Sequence, residues 1–170
     1  FAQVLPELRA LLSGAAERPR VRFFEGPEGL RAIREEILAT DAKDLRSVFI
    51  ARADVNEIAT PDHEPFDRAL VAKGIHVHGI YNGRIAAEEI SAHPDWQFVR
   101  VSDQQFPFKG EIIVMGSKIF AFTYSGKIIG SIIESADLAE TLRTTLRLAW
   151  EGAQRLPAAD ASPNPSTPTP

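Results

Sequence analysis

The chain has 170 residues, 44% hydrophobic and 25% charged, with a formal net charge of −4 and no cysteine. That composition suits one soluble globular domain with room for a core, while its acid excess argues against direct nucleic-acid binding, since such domains are usually basic on one face. The missing cysteine excludes disulfides, thiolate metal sites, iron–sulfur clusters and cysteine nucleophiles.

Residues 1–13, FAQVLPELRALLS, place Phe1, Leu5, Leu8 and Leu12 on one helical stripe, and Gly14 can end that helix. Residues 1–16 read as the end of a connecting helix arriving from upstream, or as a small helix packed on the domain. The Phe1 start fits the first reading.

Residues 20–25, RVRFFE, alternate like a strand, and Leu30, Ile33 and Ile37 then recur at helical spacing over 27–39. Pro27 suits a first helical position and Glu28 a first turn, where the helix dipole favours negative charge. RSVFIAR (46–52) reads as a buried strand, TPDHEPFDRALVAKG (60–74) as a helix stopped by Gly74, and IHVHGIY (75–81) as a third strand. RIAAEEISA (84–92) is a short helix and WQFVRVS (96–102) a fourth strand. This alternation predicts a largely parallel sheet with helices on its faces.

The pattern then changes. GEIIVMG, KIFAFTYS and KIIGSIIES, split by Gly116-Ser117 and Ser125-Gly126, predict an antiparallel meander over 110–134. A last helix over 136–153 carries Leu138, Leu142, Leu146 and Trp150 as its apolar stripe, with Ala139 and Ala149 beside it and Ser135 as N-cap. From 154 to 170 the chain is rich in Pro, Ser, Thr and Ala and is expected to be a disordered tail. The working domain is therefore 17–153. No run is long and apolar enough to span a bilayer, no signal peptide opens the chain, and a cytoplasmic setting is expected.

No Walker loop, G-x-G-x-x-G, G-x-S-x-G or H-E-x-x-H occurs. His76 and His78 share a strand face, but no neighbouring cluster supplies a third ligand, so no metal and no cofactor are expected. The adjacent pairs Glu35–Glu36 and Glu88–Glu89 do not face each other on a helix and read as solvated faces. Arg52, Arg84 and Arg100 each end or follow a strand, where ligands of parallel sheets tend to sit and where Arg can grip a carboxylate or phosphate. The Glu25-Gly26-Pro27-Glu28-Gly29 junction can be a tight turn. It can also be a site, with helix N–H groups beyond the glycines and Glu25 accepting from ligand hydroxyls.

Two stretches carry a resemblance. RPRVRFFEGPEGLRAIREEIL (18–38), after a Leu-Pro-Glu-Leu segment at Leu5 to Leu8, resembles the opening of the C-terminal domain of TrmB-like transcription regulators. Residues 106–153 resemble that family's closing pattern: a Phe-Pro-x-x-Gly-Glu lead, a strand–Gly–strand hairpin, an apolar strand into a Ser cap, and an Ala-x-x-x-Arg…Trp helix. The family pairs an N-terminal winged helix-turn-helix, missing from this chain, with a domain similar to phospholipase D. The resemblance implies a phospholipase D-like α/β fold, a homodimer, a small-molecule effector of unknown identity, and DNA contact only through the winged helix. The sugar-sensing branch carries a further C-terminal region that this chain lacks. Phospholipase D enzymes need H-x-K-x-x-x-x-D, and the matching positions here are Phe108, Gly110 and Met115, so no catalytic residue is expected.

The expectation is thus a mixed, largely parallel sheet with a C-terminal antiparallel meander, serving as an effector-sensing and dimerising domain. The candidate ligand residues are Glu25, Gly26, Gly29, Arg52, Tyr81 and Arg84, and the candidate dimer contacts Leu5, Leu8 and Leu12. The alternatives are a phosphodiesterase on the same scaffold and a ligand-free structural dimerisation module.

Overall fold

A computed structural model of the protein describes residues 18–51, 63–83, 85, 90, 93–124 and 126–157. Expectations for residues 1–16, for most of 84–92, for the start of the 60–74 helix and for the tail beyond residue 157 lie outside the described residues. So do Leu5, Leu8, Leu12, Arg52 and Arg84.

The elements run β1 Arg20–Glu25, α1 Gly26–Ala39, β2 Asp44–Ala51, α2 His63–Ala72, β3 His76–Gly83, β4 Trp96–Arg100, β5 Gly110–Met115, β6 Lys118–Thr123, β7 Ile129–Glu134 and α3 Ala136–Ala153. Their ends follow local chemistry. Gly26 takes φ 68° and donates its N–H to the Ile128 carbonyl at 2.9 Å, which turns the chain from β1 into α1. Helix α2 closes as a Schellman motif: Gly74, at φ 64°, donates to the Val71 carbonyl and Ile75 to that of Leu70, while the Leu70 and Ile75 side chains bury together. Ser135 caps α3 by accepting from the Leu138 N–H at 3.4 Å.

One seven-stranded sheet has the order β1-β7-β6-β5-β2-β3-β4. It is mixed, and β5, β6 and β7 form the expected antiparallel meander. Parallel pairing is narrower than the strand–helix alternation suggested, because among the described residues only β2–β3 and β3–β4 are parallel. Strand β1 pairs antiparallel with β7, and β5 pairs antiparallel with β2. The whole meander is therefore inserted between β1 and β2. Hydrophobic periodicity reports which face a strand buries and is silent on which edge it joins.

Helices α1 and α2 cover one face of the sheet over the main core, which includes Ile33, Ile37, Leu70, Val77, Met115 and Phe120. Helix α3 covers the other face, where Trp150 and Ala153 pack near Ile80 and Val101, and Ala139 and Leu146 near Val114 and Ile119. The buried stripe of α3 is Ala139, Leu142, Leu146, Trp150 and Ala153, whereas Leu138 is 47% exposed and Ala149 is exposed. Steps of strictly four residues advance 400° and drift around a 3.6-residue helix; the 3-4-4-3 spacing of the observed stripe stays on one side.

Candidate ligand cavity

Between the sheet and the α1/α2 layer lies a cavity of about 410 Å³. Alternation along the strands builds its floor: Leu45, Ser47, Phe49 and Ala51 from β2, Trp96 and Phe98 from β4, and Glu111 and Ile113 from β5. Leu30, Arg34 and Ile37 of α1 face it at helical spacing, as do Phe66, Asp67 and Leu70 of α2. Its far wall is Phe122 and Tyr124.

The floor carries a row of touching rings. Trp96 meets Phe98 edge-on at 6.5 Å, Phe98 meets Phe49 edge-on at 5.9 Å, and Phe49 stacks on Tyr81 at 5.5 Å. Gly79 permits this, because a Cβ there would lie 2.7 Å from Phe98 and 2.9 Å from Phe49. The Trp96 indole donates to the Ile75 carbonyl at 3.0 Å, which holds the ring upright.

The polar groups are few. Arg34 is only 9% exposed, and its guanidinium lies over the Phe66 ring, 5.4 Å from the centroid. The Tyr124 hydroxyl donates to Glu111 Oε2 at 2.8 Å. Burial first, then the Glu111 charge and hydrogen bond, raise the Tyr124 pKa far above the usual phenol range. Tyr124 is therefore a neutral hydrogen-bonding group at any physiological pH. Ser47 is buried in the floor, and Glu64 stands at the rim with Arg68 3.6 Å away.

Among the described residues singled out from sequence, the β1–α1 junction and Tyr81 lie apart. Glu25, Gly26 and Gly29 lie at the β1 edge, while Tyr81 is on β3, five strand spacings or about 24 Å across the sheet. Gly29 is explained by packing, since a Cβ there would sit 2.9 Å from that of Phe24. Glu25 occupies the N-cap position of α1 without a side-chain cap bond. Tyr81 is fully buried at the end of the ring row, beside the cavity, and its hydroxyl donates to the Ile85 carbonyl at 3.0 Å. Its part in the cavity is to support Phe49. Arg100 ends β4 half-buried, in register with Tyr81.

Outside the cavity, His76 and His78 share the α3 face of β3. His78 lies edge-on to Trp150 at 5.4 Å, with Nδ1 3.5 Å from Asp44. Burial, with Arg46 adding, lowers the His78 pKa below the ordinary histidine value. Among the described residues no three His, Asp or Glu side chains gather at metal-binding distance. Glu36, expected to be solvated, pairs with Lys118 at 2.5 Å and Arg22 at 3.2 Å.

Comparison with known proteins gives a fold. No protein-family model matches, and no curated protein matches by sequence. Among solved structures, NucT from Helicobacter pylori aligns with 79% of this chain and 97% of its own, at TM-score 0.55 and 10% identity. Nuc from Salmonella typhimurium, a phospholipase D family member, aligns with 79% of this chain and 95% of its own, at TM-score 0.55 and 16% identity. The fold is phospholipase D-like. TrmBL2, an archaeal chromatin protein, aligns with 89% of this chain at TM-score 0.52 and 14% identity, and the chain spans 62% of the length of TrmBL2. The expected relation to the TrmB-like and phospholipase D scaffolds thus holds at the level of the fold.

The positions matched above to the phospholipase D signature lie on or just before β5. Phe108 packs with the cluster of Ile80, Val101 and Trp150. A Cβ at Gly110 would sit 2.3 Å from the Phe122 carbonyl oxygen, so a side chain there needs a shift of backbone. Met115 is fully buried in the main core. No reactive group is provided by these three side chains.

Proposed function

We propose that this chain is the effector-sensing and dimerising domain of a TrmB-like DNA-binding transcription regulator, with no catalysis of its own. The observation that carries this reading is the cavity between the sheet and α1/α2 on a fold whose signature positions hold Phe108, Gly110 and Met115. A pocket of this size, mostly apolar with a few polar groups, is the usual form of a small-molecule site.

Helix α1 contributes Leu30, Arg34 and Ile37 to the cavity and follows β1 directly, and residues 1–17 lead into β1. A ligand that favours one placement of α1 can bias the connecting segment, by no more than its differential affinity for the two placements. In this proposal DNA is contacted by a winged helix-turn-helix joined through that segment, the regulator is a homodimer, and it works in the cytoplasm. Among the described residues no helix is long and apolar enough to cross a membrane. The DNA-binding character of TrmBL2 supports the reading.

The test is operator affinity of the full-length regulator with and without candidate metabolites, preceded by a thermal-shift screen of the present chain. A ligand that binds only the native state raises its melting temperature. If no small molecule alters either measurement, the sensor reading is lost. The likeness to Nuc and NucT keeps a phosphodiesterase as the second reading. Phosphodiester hydrolysis by the purified chain, abolished by replacing His76 or His78, would establish it.

A further inference from the structure

Resting on the reading of the chain as a homodimer, we infer that two copies pair β1 with β1, antiparallel about a two-fold axis at Phe23, and so join their sheets. Among the described residues β1 ends the strand order, and Arg20, Val21, Arg22, Phe23 and Glu25 are exposed on it. Its register with β7 runs unbroken from Arg20 to Glu25 and contains no proline. An open edge of this kind is a template for another strand. Val21 and Phe23, with Ile129 beside Glu25 on β7, also give it an exposed apolar face.

Hydrogen-bond phase fixes which groups the edge offers. Gly26 donates to Ile128, one step beyond the β1–β7 register, and Ser135 donates to Ser117, one step beyond the β6–β7 register. In an antiparallel pair such bonds recur at every second residue. The even-numbered residues of β1 and β7 therefore bond each other, and the odd-numbered residues of β7 bond β6. The N–H and C=O groups of Val21, Phe23 and Glu25 point outward.

A two-fold axis at Phe23 engages all of them. Phe23 meets Phe23 of the second copy, and Val21 meets Glu25 on either side, in hydrogen-bonded pairs that exchange about six backbone bonds. Pro19 then falls opposite Pro27, and neither has an N–H to leave unmet. Moving the axis to Val21, Arg22 or Phe24 sets an outward residue against Pro19 or Pro27, and at Arg22 it also opposes two guanidinium groups. In the Phe23 register Arg18 and Arg20 of one copy come level with Glu28 and Gly26 of the other, so basic residues meet the acidic start of α1. Arg22 has its charge met by Glu36 and Glu134 within its own copy. A strand pair alone falls short of the ~1,200 Å² of a stable interface. The sequence leads from the proposed contact of Leu5, Leu8 and Leu12 into β1, so the strand pair extends that contact.

The chain has no cysteine, so single substitutions in the full chain report the register by disulfide formation. Across the axis two Phe23→Cys copies have α-carbons about 5.5 Å apart, inside the disulfide range. Two Val21→Cys copies, or two Glu25→Cys copies, stand roughly 13 Å apart along the strands. Under mild oxidation Phe23→Cys should cross-link about tenfold faster than either, and an equimolar mixture of Val21→Cys and Glu25→Cys should cross-link where each alone does not. On the wild-type chain, amide exchange by NMR should show Val21, Phe23 and Glu25 protected at concentrations where it is a dimer and open on dilution to monomer. If the wild type is a dimer and these amides stay open, or the three variants cross-link alike, the β1 pairing fails and the dimer reading survives. Protection that persists in the monomer means the chain covers its own edge, and overturns the pairing too. If light scattering finds only monomer at every concentration, the pairing and the dimer reading fail together. The exchange measurement decides the matter even if a variant does not fold.

Discussion

The Tyr124 hydroxyl donates a 2.8 Å hydrogen bond to Glu111 across the inner end of the cavity, joining β5 to the residue that follows β6. Tyr124→Phe removes the only hydrogen in that contact and leaves a half-buried carboxylate with one partner fewer. A loss of about 1–3 kcal/mol is expected from urea denaturation. The raised phenol pKa adds a pH dependence. A group whose proton is held more tightly in the folded state stabilises fully below its unfolded pKa of about 10 and loses that contribution as pH rises further. Stability should therefore fall above pH ~10 in the wild type and less steeply in Tyr124→Phe. An unfolding midpoint with the same alkaline slope in both proteins would contradict the assignment.

Glu36 ties α1 to β6 and β1 through Lys118 and Arg22. The Lys118 hydrogen bond is the largest influence and, over opposition from burial, it and Arg22 lower the Glu36 pKa. The carboxylate thus stabilises the fold above its unfolded pKa, and the contribution disappears as pH falls through the folded value. Glu36→Gln should flatten the acid limb of stability below pH ~4.5, with little effect near neutrality beyond about 1 kcal/mol, as for a partly solvated pair. Midpoints of urea unfolding from pH 3 to pH 7, measured on both proteins, check the shape.

Gly79 separates the Phe49 and Phe98 rings by nothing but a hydrogen. Gly79→Ala must push one of them off its place, at a cost of roughly 1–3 kcal/mol by the usual penalty for overpacking. The same displacement opens the cavity floor, so ligand affinity should drop alongside melting temperature. An alanine variant as stable as the parent would show that the rings have room to move.

Dimerisation is proposed to use the stripe of Leu5, Leu8 and Leu12. Replacing Leu8 and Leu12 by Asp puts two charges on an apolar contact, and light scattering should then report a monomer where the parent is a dimer. An unchanged mass would move the interface elsewhere, and the β1 edge, where Phe23 is 77% exposed, would be the next surface to alter.

Element type was legible because each element obeys its own short-range rule. The helix expected over 136–153 has those bounds; Gly74 marks a helix end by a left-handed conformation that few other residues adopt, and Ser135 marks a helix start by a side chain that caps it. The cavity was not legible in the same way. Arg34 sits inside the Leu30–Ile33–Ile37 stripe, and Glu111 alternates with Ile113 and Met115. Each is a charge at an inward position, and that was the signal available. Gly79 in the middle of an apolar strand was another.

Sequence alone determined which segments between 20 and 153 are the described helices and strands, to within a few residues, and which side of the inner strands is apolar. Those properties depend on neighbours within a few residues. The insertion of the meander between β1 and β2, the separation of Glu25 from Tyr81, and the meeting of Arg34, Phe66, Glu111 and Tyr124 around one cavity were decided by tertiary structure. They depend on which edges pair and how α1 and α2 seat on the sheet. The energies that choose among such arrangements come from contacts distant in the chain, which no local periodicity records.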